Sequence, residues 1–301
     1  MLIYIIALAV TSLTGVLLNV YMFWKFATAN TKAFSSFHKL CLCKTIPNIL
    51  ISSIFAFWAI PLTIFQVDMA HFSRLQNLIF SQVLGGFGYV FGPFLQVCMA
   101  TNRCVLLYFP FARMKFDGLP ITTLAIFACF LLANTPVFAS ILTNCYLVYD
   151  PPTLVFLPER EECGSTQDFL MFLLICVISL TCNSINLAIF AKLARDKMNG
   201  ISETQKSKRR RRWLTMFVQS VIQDVLQLID ITNYNFVSRI IDEEWWTFIF
   251  CCLSFSMVYT LDGAVMIYFH SDASRKKSTV TNVQVSTAIS SGPVKKVSVI
   301  D

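Results

Sequence analysis

Apolar residues dominate seven separate stretches of the chain, each long enough for one membrane crossing. A helix that spans the hydrocarbon core needs about 20 mostly apolar residues. The pattern therefore predicts seven transmembrane helices, with approximate bounds 2–26, 40–65, 77–108, 119–144, 168–194, 212–240 and 246–270. Lys44 and Asn48 interrupt the second span near its start, and the sixth span is the most polar. We therefore predict an all-α membrane protein, in which a seven-transmembrane helix bundle occupies residues 1–270.

The composition of the 301 residues supports a membrane protein. Hydrophobic residues make up 56% of the chain, charged residues only 14%, and the mean hydropathy is +0.64. Such a chain has too little polar surface to cover a water-soluble globule. The last stretch, 271–301, is rich in Ser, Thr, Val and Lys, and this composition predicts a disordered tail.

The basic residues predict how the bundle is oriented. All but three of the 24 lysines and arginines fall on one side of the predicted spans, and five of them are consecutive at the end of "KSKRRRR". The exceptions are Arg74, Arg160 and Arg239. The positive-inside rule then places the N-terminus outside and the tail in the cytoplasm. The first span, whose first charge is Lys25, is typical of a signal-anchor rather than a cleaved signal peptide.

Two of the 11 cysteines differ from the others in their surroundings. Nine lie in or beside apolar runs, where cysteine packs as a small hydrophobic residue. Cys145 and Cys163 flank the longest outer loop, which faces an oxidising compartment in the predicted orientation. We expect a disulfide between them that closes this loop on itself. The three histidines have no metal-ligand spacing, and we predict no cofactor.

Polar residues on the sixth span recur at helical spacing. Gln219, Gln223, Gln227, Asp230 and Tyr234 follow one another at steps of three or four, so they form one stripe on a helix. A polar stripe is costly against lipid, so it should face the bundle interior or a water-filled cavity. The stripe could serve only interhelical hydrogen bonding. Alternatively, Gln227, Asp230 and Tyr234 border a ligand cavity, and Gln219 and Gln223 join a moving polar network. Asp224 is predicted to point away from the stripe.

Three further polar positions lie inside or at the ends of apolar spans. Arg103 ends the third span, where it could be an interfacial side chain that reaches the headgroups. It could also be a switch residue whose contacts change when the helices separate. Asn19 and Asp262 should lie at similar depth in the first and seventh spans, where they could bond through water as a core network or act as a structural tie.

Several short motifs carry a resemblance to one family of receptors. "NRCVLLYFP" resembles the Asp/Glu-Arg-Tyr signature at the base of the third helix of rhodopsin-like seven-helix receptors, with Pro110 seven residues after Arg103. "GVLLN", which ends at Asn19, resembles their helix-one pattern. More narrowly, "NRCVLLYFPF", "CYLVYDPPTLVF", "FVQSVIQDVLQLID" and "LDGAVMIYF" resemble nematode serpentine chemoreceptors of class X. The likeness covers roughly residues 1–270.

The chain also departs from the rhodopsin-like pattern. Asn102 replaces the acidic residue that restrains the arginine, so a conventional ionic lock is not expected. Asp262-Gly263 stands where these receptors have Asn/Asp-Pro-x-x-Tyr, and Ser52 lies near the position of an acidic sodium ligand. The family usually ties its outer loop to the top of the third helix by a disulfide, but residues 77–82 hold no cysteine.

The resemblance implies a chemosensory G-protein-coupled receptor. Its expected partners are a small environmental ligand, a heterotrimeric G protein at the Asn102, Arg103 and Pro110 face, and the lipid bilayer; no nucleic acid is expected. The expected location is the plasma membrane, in the sensory ciliary membrane of a neuron. A multi-pass transporter or ligand-gated channel is the alternative, although the paired inverted repeats of transporters are not seen. No catalytic motif indicates an enzyme.

Overall fold

The computed structural model describes residues 1–28, 36–65, 74–109, 121–198 and 203–270. Seven of its helices are long and apolar enough to cross a membrane. Their bounds are α1 Leu2–Ala27, α2 Ser36–Ile64, α3 Leu75–Tyr108, α4 Ile121–Thr143, α5 Glu161–Met198, α6 Glu203–Asn235 and α7 Glu244–His270. The predicted seven-helix bundle is confirmed. Pro110 and the predicted tail 271–301 lie outside the described residues.

The predicted spans differ from the helices mainly at the helix ends. Helix α2 begins at Ser36 instead of residue 40, and α5 extends beyond the predicted run at both ends. Helix α6 begins at Glu203 instead of residue 212 but ends at Asn235, before the predicted 240. A span prediction follows hydropathy, whereas the helical hydrogen-bond pattern continues into polar sequence beyond the hydrocarbon. Helix α4 ends where Asn144 adopts the left-handed conformation, with φ 53°, as is common at helix C-termini.

The loop between α4 and α5 forms a β-hairpin, which the all-α prediction did not include. Strands β1 (Leu147–Asp150) and β2 (Val155–Pro158) pair antiparallel, and Tyr149 faces Phe156 across the hairpin. Leu154 ends the turn at a φ of 58° and is 1% exposed. The hairpin therefore buries Tyr149, Leu154, Val155 and Phe156 in one end of the bundle, which we call the hairpin end.

The termini of the bundle lie at opposite ends. Tyr4 at the start of α1 stacks on Phe248 of α7, in the same apolar cluster as the hairpin residue Tyr149. Phe26 at the other end of α1 makes an edge contact with His270, the last residue of α7. We call this second end the Arg103 end. Two apolar clusters, one at each end, hold the bundle together.

Helix α3 is the central helix and α4 lies at the periphery. In the most apolar window of each helix, 61% of α3 residues are buried but only 17% of α4 residues. Large apolar side chains such as Leu17 and Leu142 remain exposed on the outer surface of the bundle. In a bilayer these side chains face lipid, because lipid tails are as apolar as the side chains themselves.

Three helices contain a π-helical segment. These are Phe55–Ala59 in α2, Gln82–Gly88 in α3 and Phe248–Leu253 in α7. All three supply buried residues to the apolar cluster at the hairpin end. A π-helical turn locally widens the helix and is frequent at functional sites. The glycines of "QVLGGFG" ease this distortion in α3.

Candidate functional site

A cavity opens at the hairpin end between the hairpin and helices α3, α5, α6 and α7. The empty space between its lining residues, including the part open to the surroundings, is about 680 Å³. Phe156 lines it from the hairpin, Tyr89 from α3 and Phe255 from α7. The π-helical segments contribute Gly85, Cys251 and Cys252. Most of the wall is apolar.

Two carboxylates lie in the wall of this cavity. Asp168 of α5 forms an ion pair with Arg239 at 2.7 Å and accepts a hydrogen bond from the Tyr234 hydroxyl at 3.3 Å. Asp230 of α6 is 2% exposed and accepts a hydrogen bond from Ser254 Oγ at 2.9 Å. Two of the three residues assigned to a ligand cavity from sequence, Asp230 and Tyr234, therefore lie in one cavity wall.

Gln227 lies outside the wall of this cavity. It lines a second, more polar cavity of about 420 Å³, together with Asp224 and Asp262. The stripe on α6 thus passes two cavities in turn, one at the hairpin end and one at mid-depth. The sequence prediction treated Gln227 as part of a single outer cavity, because helical spacing gives direction around a helix but no boundary along it.

The hairpin is fixed to the bundle by a disulfide and by hydrogen bonds. Cys145 and Cys163, the pair expected from sequence, are bonded. Asn77 at the top of α3 accepts the Tyr149 backbone N–H at 2.9 Å and donates to the Tyr149 carbonyl at 3.2 Å. The Tyr149 hydroxyl is 2.8 Å from Thr63 Oγ1, and burial raises its pKa, which keeps it protonated. The disulfide closes the loop on itself, as expected from sequence, and the Asn77 hydrogen bonds additionally tie the hairpin to α3.

At mid-depth, four polar side chains connect α1, α2 and α7. Asn48 Nδ2 donates to Asn19 Oδ1 at 3.0 Å and to Asp262 Oδ2 at 2.6 Å. Lys44 forms an ion pair with Asp262 at 3.2 Å. Asn48 therefore links Asn19 to Asp262 through direct hydrogen bonds, at a place where the sequence left open either a water-mediated network or a structural tie.

Lys44 was misplaced by the sequence analysis. It was counted among the basic residues of one membrane face, but it is 5% exposed and lies inside the bundle. Its ammonium also donates to Gln96 Oε1 of α3. A buried charge inside a membrane protein is costly unless it is paired, and Asp262 together with Gln96 satisfies this one.

Ser220 of α6 joins this network to the Arg103 end. Its hydroxyl is 3.3 Å from Gln96 Nε2, 3.1 Å from Arg103 Nη2 and 3.2 Å from Asn186 Nδ2. A continuous hydrogen-bonded series results, which we call the polar chain: Asn19, Asn48, Asp262, Lys44, Gln96, Ser220 and Arg103. It connects α1, α2, α3, α6 and α7.

Of the two glutamines assigned to this network, one takes part in it. Gln223 Oε1 accepts from Gln96 Nε2 at 3.3 Å. Gln219 is 4% exposed but lines neither cavity. Asp224 was predicted to point away from the stripe, yet it is 6% exposed and lines the mid-depth cavity. The inward face of α6 is wider than one line of residues, because α3, α5 and α7 all pack around it.

Arg103 turns into the bundle rather than toward the headgroups. It is 5% exposed; its Nη1 donates to the Met216 carbonyl at 2.7 Å and its Nε to the Met99 carbonyl at 3.0 Å. The bonds to Met216 and Ser220 tie α3 to α6, without a carboxylate partner for Arg103 among the described residues. The neighbouring Asn102 has a buried Nδ2 with no hydrogen-bond partner in the described part of the chain.

Several members of the polar chain were not predicted from the sequence. Gln96 and Ser220 were overlooked because single polar residues in apolar spans are common. For Gln96 the spacing was informative. It precedes Arg103 by seven residues, which places both side chains on one face of α3. Lys44 and Asn48, four apart on α2, were noted only as an interruption of the span.

This architecture defines a class of protein. A bundle of seven membrane-length helices, with a cavity at one end and a buried arginine tying α3 to α6 at the other, is that of a seven-transmembrane receptor. The chain matches the family model of the serpentine type 7TM GPCR chemoreceptor Srx over residues 10–270. It therefore belongs to this chemoreceptor family, which is a family of multi-pass membrane receptors and not of enzymes. A search of curated protein sequences finds no significant match.

Proposed function

We propose that this protein is a chemosensory receptor that binds a small environmental ligand in the hairpin-end cavity and activates a heterotrimeric G protein at the Arg103 end. Residues 1–270 form the receptor domain and 271–301 a cytoplasmic tail. The receptor resides in the plasma membrane, in the ciliary membrane of a sensory neuron, with its N-terminus outside. The charge asymmetry of the sequence supports this orientation.

The proposal rests on the order of the sites along α3 and α6, the two helices that contact both cavities and the Arg103 end. On α3, Tyr89 lines the hairpin-end cavity, Gln96 the mid-depth cavity, and Arg103 ends the series. On α6, Asp230 and Ser220 occupy the corresponding levels. Fourteen residues of helix separate Tyr89 from Arg103, or about 20 Å. A ligand that shifts α6 against α3 at one end therefore acts on the bonds of Arg103 at the other.

Asn102, Arg103 and Pro110 are the proposed coupling residues. In this structure Arg103 is hydrogen-bonded to Met216 and Ser220 of α6. Release of these bonds would open a cleft for the G protein. A ligand can favour the open packing only by binding it more tightly than the closed one. The proposed core that changes packing consists of Asn19, Asp262, Gln219 and Gln223. Asp230 and Tyr234 border the ligand, whereas Gln227 lines the mid-depth cavity.

A cell assay tests this function. Wild-type receptor is expressed with a promiscuous G protein and exposed to a panel of volatile and soluble cues. We expect a cue-evoked response that Arg103→Ala abolishes and that Arg160→Ala, an exposed arginine at the hairpin end, retains. Both variants are checked for surface delivery. A cue-evoked current that persists without any G protein would instead favour the ligand-gated channel or transporter.

Epitope tags test the orientation separately. A tag at the N-terminus should be accessible to antibody on intact cells, and a tag at the C-terminus only after permeabilisation. Both tags on one side of the membrane would contradict the proposed topology and, with it, coupling at the Arg103 end.

A further inference from the structure

The charge of the hairpin-end cavity differs from the charge of the mid-depth cavity. The wall of the hairpin-end cavity contains Asp168 and Asp230 but no lysine, arginine or histidine among the described residues. Arg239, just outside, pairs with Asp168 at 2.7 Å. Asp230 has no ion-pair partner in the described part of the chain. In the mid-depth cavity, by contrast, Lys44 pairs with Asp262.

Asp230 is too deeply buried for water alone to stabilise its charge. It is 2% exposed, and the hydrogen bond from Ser254 Oγ is directed at Oδ1 only. Ser254 is itself held by Asn233 Nδ2 at 3.1 Å. The Ser254 hydroxyl and the more distant Tyr89 hydroxyl do not offset the transfer of a carboxylate out of water, which requires a cation or several close donors. The cavity beside Asp230 is where such a cation can enter.

A second polar group, the Tyr89 hydroxyl, lies near Asp230. It is buried without a close hydrogen-bond partner among the described residues, it interacts with Asp230 and Gln227 at longer range, and Tyr89 lines the same cavity. Tyr89 as a whole is 7% exposed. The carboxylate and this hydroxyl together form a polar pair at one point of a cavity that is otherwise mostly apolar.

We propose that the hairpin-end cavity binds a small organic amine, whose ammonium pairs with Asp230 while its apolar body packs against Phe156, Met171 and Phe255. This inference rests on the proposed function, because it takes the cavity as the ligand site. The ammonium supplies the cation that the cavity wall lacks, and the Tyr89 hydroxyl can hydrogen-bond a polar atom of the ligand. The aromatic and thioether walls suit an alkyl or aryl group.

Thermal stability of the purified receptor tests the amine directly, without a need for G-protein coupling. The probes are hexylamine and 2-phenylethylamine, each compared with its neutral counterpart, hexan-1-ol or 2-phenylethanol. Because a ligand stabilises the state it binds, both amines should raise Tm in a saturable manner, and the alcohols at equal concentration should not. Equal stabilisation by the alcohols, or no stabilisation by either amine, overturns the proposal.

Variants on α6 test whether Asp230 is the carboxylate that binds the amine. Asp230→Asn should raise the half-saturating amine concentration at least about tenfold, and Asp230→Glu should retain the preference for amines. Asp224→Asn makes the same chemical change on the same helix beside the other cavity, so amine binding should persist. The Tm of each variant without ligand reports whether it is folded. An amine response unchanged in folded Asp230→Asn overturns the assignment.

The two proposals fail in different ways. If the amines do not bind but neutral or acidic cues evoke a response that depends on Arg103, the receptor function stands and the amine class is wrong. If the amines stabilise the protein through Asp230 but no cue activates a G protein, the amine site stands and the coupling proposal is wrong.

Discussion

Lys44 and Asp262 form an ion pair in the middle of the bundle, with 3.2 Å between Nζ and Oδ1. Both side chains are almost completely buried, at 7% and 8% exposure. Helix α2 is thereby joined to α7, and through Gln96 to α3. Because neither charge reaches solvent, each depends on the other, and the pair is a fixed point around which the remaining polar chain is arranged.

Loss of one partner of this pair should destabilise the receptor strongly. Lys44→Met leaves Asp262 with only the Asn48 amide, and removal of one partner from a buried pair costs about 3–5 kcal/mol. We expect a large fall in the Tm of the purified protein. The double variant Lys44→Met/Asp262→Asn removes both charges and should recover most of the loss.

Lys39→Met serves as the matched control for this prediction, since Lys39 is exposed on the same helix. It should leave Tm nearly unchanged. A Lys44→Met protein as stable as the wild type, or a double variant less stable than the single one, would argue against a buried pair.

Two helical glycines should respond in opposite ways to the same substitution. A Cβ at Gly263 would lie 2.8 Å from Asn19 Nδ2, so Gly263→Ala pushes against the polar chain. Overpacking of this kind costs about 1–3 kcal/mol. A Cβ at Gly92 would meet no described atom within 4 Å, and Gly92→Ala should be neutral or stabilising because alanine favours helix. Thermal melts of both variants measure the difference, and equal effects would contradict the close approach of α1 and α7.

The sequence predicted the architecture well because its signals are periodic and long. Seven apolar runs and the stripe on α6 are patterns over many residues, and both correspond to the structure. Asp230 and Tyr234 were placed at a cavity for the same reason. A polar residue on a transmembrane helix has few stable positions other than the interior.

The pairings within the interior could not be predicted in the same way. Lys44 lies 218 residues from Asp262 in sequence, and a lysine near the start of an apolar run is ordinarily an interfacial residue. The hairpin was missed because "LVYDPPTLVF" is short and contains two prolines. Its strands are stabilised by contacts of Tyr149 with Asn77 and Thr63, which no local pattern reveals.

The hairpin should loosen when Asn77 is changed. Asn77→Ala removes both hydrogen bonds to the Tyr149 backbone, so amide exchange over 147–158 should become faster while the disulfide stays closed. Hydrogen–deuterium exchange with mass spectrometry measures this. Asn183→Ala is the control, because the Asn183 amide bonds to Ser179 on its own helix. Unchanged exchange in Asn77→Ala would show that the disulfide and the remaining contacts, such as Tyr149 with Thr63, hold the hairpin without Asn77.

The disulfide should make a separate contribution to stability. The bond closes a loop with a sequence separation of 18, and in the chain-entropy model a loop of this length stabilises by about 3 kcal/mol. The double variant Cys145→Ser/Cys163→Ser should therefore lower Tm clearly. Cys176→Ser, a change at a free cysteine on α5, should have a much smaller effect, and similar melting of the two variants would contradict the prediction.

Ser220 should control the activity of the unliganded receptor. Its hydroxyl lies 3.1–3.3 Å from donor atoms of Gln96, Arg103 and Asn186. Gln96 keeps other acceptors in Ser220→Ala, so the main loss is the acceptor of Arg103 Nη2, and a buried donor left without an acceptor costs about 1–3 kcal/mol. Ser220→Ala therefore weakens the closed packing of α3 against α6 more than an open packing in which these bonds are already broken. We expect ligand-independent G-protein activation to rise several-fold, by the population arithmetic of a two-state receptor. The measurement is basal nucleotide exchange at matched surface expression.

Ser12→Ala is the control, since the Ser12 hydroxyl bonds within α1. Basal activity that stays at the wild-type level in a folded Ser220→Ala protein would mean that the polar chain supports the fold without restraining the Arg103 end.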